Sequence, residues 1–96
     1  MSADIKEQVL GHIQDLEGGT SQDEFLNQVL EITYLTGSKK EYKGVELLVA
    51  FGGPNIYVNT RYNQVEGYWG GSNCTLSFKD KLGLDEYFKD MWECIK

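Results

Sequence analysis

One proline, one histidine and two cysteines in 96 residues leave little room for several kinds of chemistry. A single imidazole, His12, excludes a multi-histidine metal centre. Cys74 and Cys94 are too few and too isolated for a C-x2-C knuckle or a disulfide framework, so they read as reduced thiols. No apolar run approaches the ~20 residues of a membrane-spanning helix, and the first seven residues have neither the basic nor the apolar stretch of a secretory leader. The expected location is therefore cytoplasmic, away from membranes. The phosphate-cradling patterns G-x-x-x-x-G-K and G-x-G-x-x-G are missing, as is the nucleophile elbow. No enzymatic activity, cofactor or metal is expected. Bases are also scarce: nine against 15 acids give a net charge of -6, which disfavours direct contact with nucleic acid and leaves basic protein surfaces as natural partners.

What is present fits one folded domain over residues 1–96. Hydrophobic content of 41%, with 12% aromatic and 25% charged residues, suits a globular chain rather than a disordered one. From Ala3 to Glu17 the residues Ile5, Val9, Ile13 and Leu16 recur at helical spacing, and Gly18-Gly19 supplies a helix stop. Ser21 and Glu24 form a capping box, and Phe25, Leu26, Val29, Leu30 and Thr33 continue one face, predicting a second helix from Gln22 to Thr33. Tyr34 to Gly44 shows no clear period and reads as a connection, with an edge strand left open.

The period then changes. Val45–Phe51, Ile56–Arg61, Val65–Trp69 and Cys74–Phe78 are short β-branched and aromatic runs separated by turn chemistry, which predicts a four-stranded meander. Closing the hairpins over residues 52–55, 62–63 and 70–73 opposes Val49 to Val58, Tyr57 to Tyr68 and Val65 to Phe78. These registers agree on one apolar face containing Leu47, Val49, Phe51, Ile56, Val58, Val65, Trp69, Leu76 and Phe78. The other face, with Leu48, Ala50, Tyr57, Asn59, Arg61, Glu66 and Tyr68, is mixed. A final helix follows from the spacing of Tyr87, Phe88, Met91, Trp92 and Ile95. The expected fold is α+β: two N-terminal helices, a four-stranded antiparallel meander and a C-terminal helix, with the helices on one sheet face.

Three surfaces are candidates for binding. The acids concentrate on the predicted helices: residues 1–36 carry -6, residues 37–83 carry +2 and residues 84–96 carry -2. Glu7, Asp15 and Glu17 from the first helix, Asp23, Glu24 and Glu31 from the second, and Asp85, Glu86 and Asp90 from the third would form an acidic layer able to meet a basic partner. The second surface is the sheet face bearing Tyr57, Asn59, Arg61 and Tyr68, a platform for docking a partner or a second copy of the chain. The third is a pair of loops with the same aromatic-Gly-Gly-x-Asn-apolar frame. Their Gly52, Gly53, Asn55, Gly70, Gly71 and Asn73 would adjoin at one end of the sheet and could offer backbone N–H groups to a small ligand or anion. His12, just off the apolar stripe, reads as a partly exposed structural histidine, and the acid pairs Asp23-Glu24 and Asp85-Glu86 as helix-dipole partners.

The run Gly52-Gly53-Pro54-Asn55-Ile56-Tyr57-Val58-Asn59-Thr60, then Val65-Glu66-Gly67-Tyr68-Trp69-Gly70, then Leu84-Asp85-Glu86-Tyr87-Phe88 ahead of Trp92-Glu93-Cys94, resembles small acidic uncharacterised proteins of bacterial mobile elements or phage, chiefly in Firmicutes. The resemblance spans roughly residues 44–96 and brings no functional residues with it. It implies an accessory protein, such as an inhibitor of the anti-CRISPR or anti-restriction type, that acts on a host nucleic-acid-targeting defence.

Overall fold

The computed structural model describes residues 5–95. Helix α1 covers Ile5–Gln14, the chain leaves helical geometry at Glu17 and at Gly18, whose φ is 124°, and the short α2 covers Gln22–Leu26. Five strands follow, β1 Glu31–Thr36, β2 Tyr42–Ala50, β3 Asn55–Asn59, β4 Gln64–Trp69 and β5 Ser72–Ser77, before α3, Leu84–Ile95. The strands pair antiparallel in chain order, β1-β2-β3-β4-β5. The architecture is thus α+β with one antiparallel sheet, as the periodicity predicts, but with five strands instead of four. Ala3 and Asp4, in the predicted first helix, lie outside the described residues.

The second helix is the main correction. Its capping box forms, Ser21 accepting from the Glu24 N–H while Glu24 accepts from the Ser21 N–H, yet the helix stops at Leu26 rather than Thr33. A helix of one or two turns has little stability of its own, so packing decides where it stops. Phe25 is fully buried. Beyond it, Ile32-Thr33-Tyr34 is β-branched and aromatic, a composition that suits a pleated strand, and pairing opens with the Leu30 N–H donating to Leu48 O at 2.7 Å. Ile32 and Tyr34 then face the helices beside Leu47 and Val45.

Each hairpin also slips by two residues from its expected register. Val58 lies opposite Leu47 on one side and Val65 on the other, and Val65 opposite Leu76. A slip of two preserves the side each residue faces, which is why the apolar face survives the change. Two exceptions follow from the first hairpin. A bulge between Leu48 and Ala50 turns Ala50 to the helical side, and Phe51 projects from the loop at 73% exposure instead of joining the core.

The core lies between the helices and this face. Val9, Leu16, Phe25, Val45, Leu47, Ile56, Val58, Val65 and Leu84 are fully buried, with Phe88 nearly so. Helix α1 packs over β4 and β5, and α3 over β2. Close approach of α1 requires glycine at Gly67, where a Cβ would stand 2.7 Å from a Val9 methyl and 3.0 Å from Ile5. At the start of α3, Asp80 accepts from the N–H groups of Leu84 and Asp85, both at 2.9 Å. The Asp85 carboxylate accepts from the hydroxyls of Tyr42 and Thr60, each at 2.9 Å, and Thr60 Oγ1 accepts from the Val45 N–H. Helix and sheet are locked together there by hydrogen bonds as well as apolar contact.

Candidate functional site

In a meander, alternate connections share an end. Residues 37–41, residues 60–63 and the segment after β5 lie at one end, and residues 51–54 and 70–71 at the other. This sorts the charges. Lys39, Lys40, Lys43, Arg61, Lys79 and Lys81, six of the nine bases, belong to the first end. Lys43, in the irregular stretch where the β1–β2 register shifts, is the only base within the five strands. Arg61 therefore does not lie along β3 as expected; it sits in the turn, its guanidinium 5.3 Å from the centre of the Tyr62 ring.

The sheet face turned away from the helices is accordingly acidic, although the segment that forms most of it sums to +2. It presents Glu31 from β1, Glu46 from β2 and Glu66 from β4, since Glu31 aligns with Leu48, Glu46 with Asn59, and Glu66 with Tyr57. Glu31 was expected in the helical layer, and its transfer to this face follows from the β1 correction. Tyr57 and Tyr68 meet edge-on with ring centres 6.2 Å apart, diagonal neighbours rather than a directly opposed pair. The Tyr68 hydroxyl donates to Glu66 at 3.4 Å. Leu48, 8% exposed, is flanked by Glu31 and Tyr57 on the adjacent strands. Asn59 is 7% exposed and accepts from the Tyr62 N–H, so it shapes the turn rather than offering a contact.

Partial burial, with the Glu66 charge as the smaller cause, raises the Glu46 carboxyl above its usual range. Burial, followed by Glu66, likewise raises the Tyr68 phenol. The raised Glu46 value means the folded state holds that proton more tightly than the unfolded chain. Its stabilising contribution is full in acid and is lost as pH rises through the carboxylate range. Glu46→Gln should therefore be more stable than the parent at neutral pH, by less than about 1 kcal/mol because Glu46 is only partly buried and solvent screens its repulsion from Glu66, with the gap closing near pH 4. Thermal melts across that range check this.

The helical layer is less available than expected. Glu17 accepts from the Lys79 N–H, Glu24 is taken up by Thr20 and Ser21, and Asp85 by Tyr42 and Thr60. Asp15 is half-buried, and its charge opposes the burial that lowers the His12 imidazole below its ordinary value. Glu7, Asp23, Glu86 and Asp90 remain exposed. His12 Nδ1 is buried with no hydrogen-bond partner, and among the described residues no cluster of His, Cys, Asp or Glu could hold a metal ion.

The glycine loops do adjoin, but they are not equivalent. Gly70-Gly71 forms a two-residue turn, so Asn73 belongs to β5 opposite Tyr68 instead of to a four-residue loop. Asn55 Oδ1 accepts from the Gly52 N–H at 2.9 Å, which occupies one donor of the expected nest. Between the loops runs an open groove of about 550 Å³ walled by Phe51, Tyr68 and Trp69. A Cβ at Gly53 would collide with the Trp69 indole, so the ring rests directly on backbone. The aromatic that precedes each Gly-Gly pair was the signal for these walls. Glu46 had a signal in the alternation of its strand, which sets it two residues before Leu48 on the same side, where it aligns with Asn59.

The class these observations define is a small α+β domain with one helix-covered and one open sheet face. No family model, curated protein or solved structure matches the chain, and among the described residues no helix is long and apolar enough to cross a membrane.

Proposed function

We propose that the chain is a non-catalytic binding protein that docks a basic protein surface on the open face of its sheet. The observation that carries this reading is the gathering of Glu31, Glu46 and Glu66 around Tyr57, Tyr68 and Leu48, with the strands' only base at the far margin. Aromatic side chains within a charged surround are a common composition for interfaces, and a one-signed face steers association more than it sets affinity. Partly burying Glu46, with Glu66 adding a smaller repulsion, does not help folding; a cationic partner would offset both. The motif resemblance points to a host protein that handles nucleic acid, and such a protein carries a basic surface.

An amide shift titration with a short arginine-rich peptide tests the reading. Shifts should concentrate on Glu46, Tyr57, Glu66 and Tyr68 and fade as salt is raised from 0.05 to roughly 0.3 M, as the Debye length shortens. Shifts confined to α1 and α3 would sink it.

A second reading, a small-ligand site, draws on the groove, where Phe51 stands 73% exposed beside Trp69. Its walls favour a flat apolar or aromatic ligand over an anion. A fragment panel that moves Gly52, Gly53 and Gly70 resonances supports it; no response across the panel removes it.

A further inference from the structure

We infer that the outer edge of β5 is a pairing site for the same edge of a second copy of this chain, joining two sheets into one of ten strands. The inference stands apart from the reading of the open face and rests on backbone geometry. β5 ends the sheet order, so no described segment pairs with its outer side. The two-residue turn at Gly70-Gly71 makes Trp69 and Ser72 a hydrogen-bonded pair, and alternation then turns the backbone of Ser72, Cys74 and Leu76 toward β4. The Phe78 N–H, next in that series, donates inward to Asn63 O at 2.9 Å. The backbone groups of Asn73, Thr75 and Ser77 therefore point outward, and all three residues are exposed.

Edges of this kind are normally defended by charge, proline or a bulge. The opposite edge, β1, has the charge of Glu31 and a register shift between Leu35 and Thr36. β5, Ser-Asn-Cys-Thr-Leu-Ser, has no charge, no proline and an unbroken six-residue register. It is also the edge at which a chain of net charge -6 can meet its own copy without opposing like charges across the strands. An antiparallel pair with Thr75 on the two-fold axis opposes Asn73 to Ser77 of the partner subunit and uses every outward group, making about six backbone hydrogen bonds. In the same register Cys74 meets Leu76 of the partner subunit on the helical side, giving cover to two side chains that are half-buried in one copy.

Sedimentation equilibrium from about 10 μM to 1 mM, combined with amide hydrogen exchange, tests the pairing. The chain should dimerise with rising concentration, and exchange should slow selectively at Asn73, Thr75 and Ser77, while Cys74 and Leu76 are protected throughout. Thr75→Pro removes an N–H that has no partner in one copy, a position where edge strands tolerate proline, and should weaken the dimer at least ~10-fold. Thr75→Lys keeps the N–H, sets like charges together on the axis and should do the same. A monomer across the whole range would overturn the inference. So would a dimer that both variants leave intact, or one lost on Tyr57→Ser/Tyr68→Ser instead.

Discussion

Replacing Asp85 by alanine should lower the unfolding free energy by about 3 kcal/mol, with Asp85→Asn recovering most of the loss. One carboxylate oxygen accepts from both Tyr42 and Thr60, and Thr60 in turn accepts from the Val45 N–H. These hydroxyls come from β2 and from the turn after β3, so a single acceptor ties α3 to two neighbouring parts of the sheet. Alanine removes the short acceptor, leaving the Tyr42 hydroxyl only the Asp85 carbonyl at 3.2 Å and Thr60 only the Val45 carbonyl at 3.5 Å, and it removes a negative charge from the first turn of α3, where the helix dipole favours it. Asparagine restores an acceptor oxygen in the same place. Urea unfolding of the three proteins reads the difference, and an alanine variant within 0.5 kcal/mol of the parent, roughly the scatter of surface substitutions, would refute the proposed lock.

The second large effect is expected at Gly67. Gly67→Ala should cost about 2 kcal/mol, because its Cβ meets Val9 at 2.7 Å and Ile5 at 3.0 Å in a packed layer that must shift to admit it. Val9→Ala alone should also destabilise, by about 2 kcal/mol, through a cavity. Together the two changes should be less harmful than their sum by roughly 1 kcal/mol, since each relieves the other. Strict additivity would show that α1 does not lean on Gly67.

The sheet was readable from β2 onward because period-two patterning sets which side a residue faces, and slips of two residues leave that unchanged. α3 was readable because Tyr87, Phe88, Met91 and Trp92 recur at helical spacing. β1 was not, because Phe25, Leu26, Val29, Leu30 and Thr33 fit a helical stripe while Ile32 and Tyr34 fit a strand. Only pairing with Leu47 and Val45 resolves the conflict. The glycine loops were legible as neighbours, but their inequivalence depends on which residues close each turn. The acidic face was hidden for a further reason: Glu31, Glu46 and Glu66 come from three strands, and charge summed along the chain mixes them with bases that the fold sends to one end.

A charge-reversal comparison tests the central claim most directly. Affinity for an arginine-rich peptide, measured by calorimetry at low salt, should fall at least ~10-fold in Glu46→Lys/Glu66→Lys but only about 2-fold in Glu7→Lys/Asp90→Lys, although both variants change net charge equally. Equal losses in the two variants, or a greater loss from the helical pair, would contradict the assignment of binding to the open sheet face.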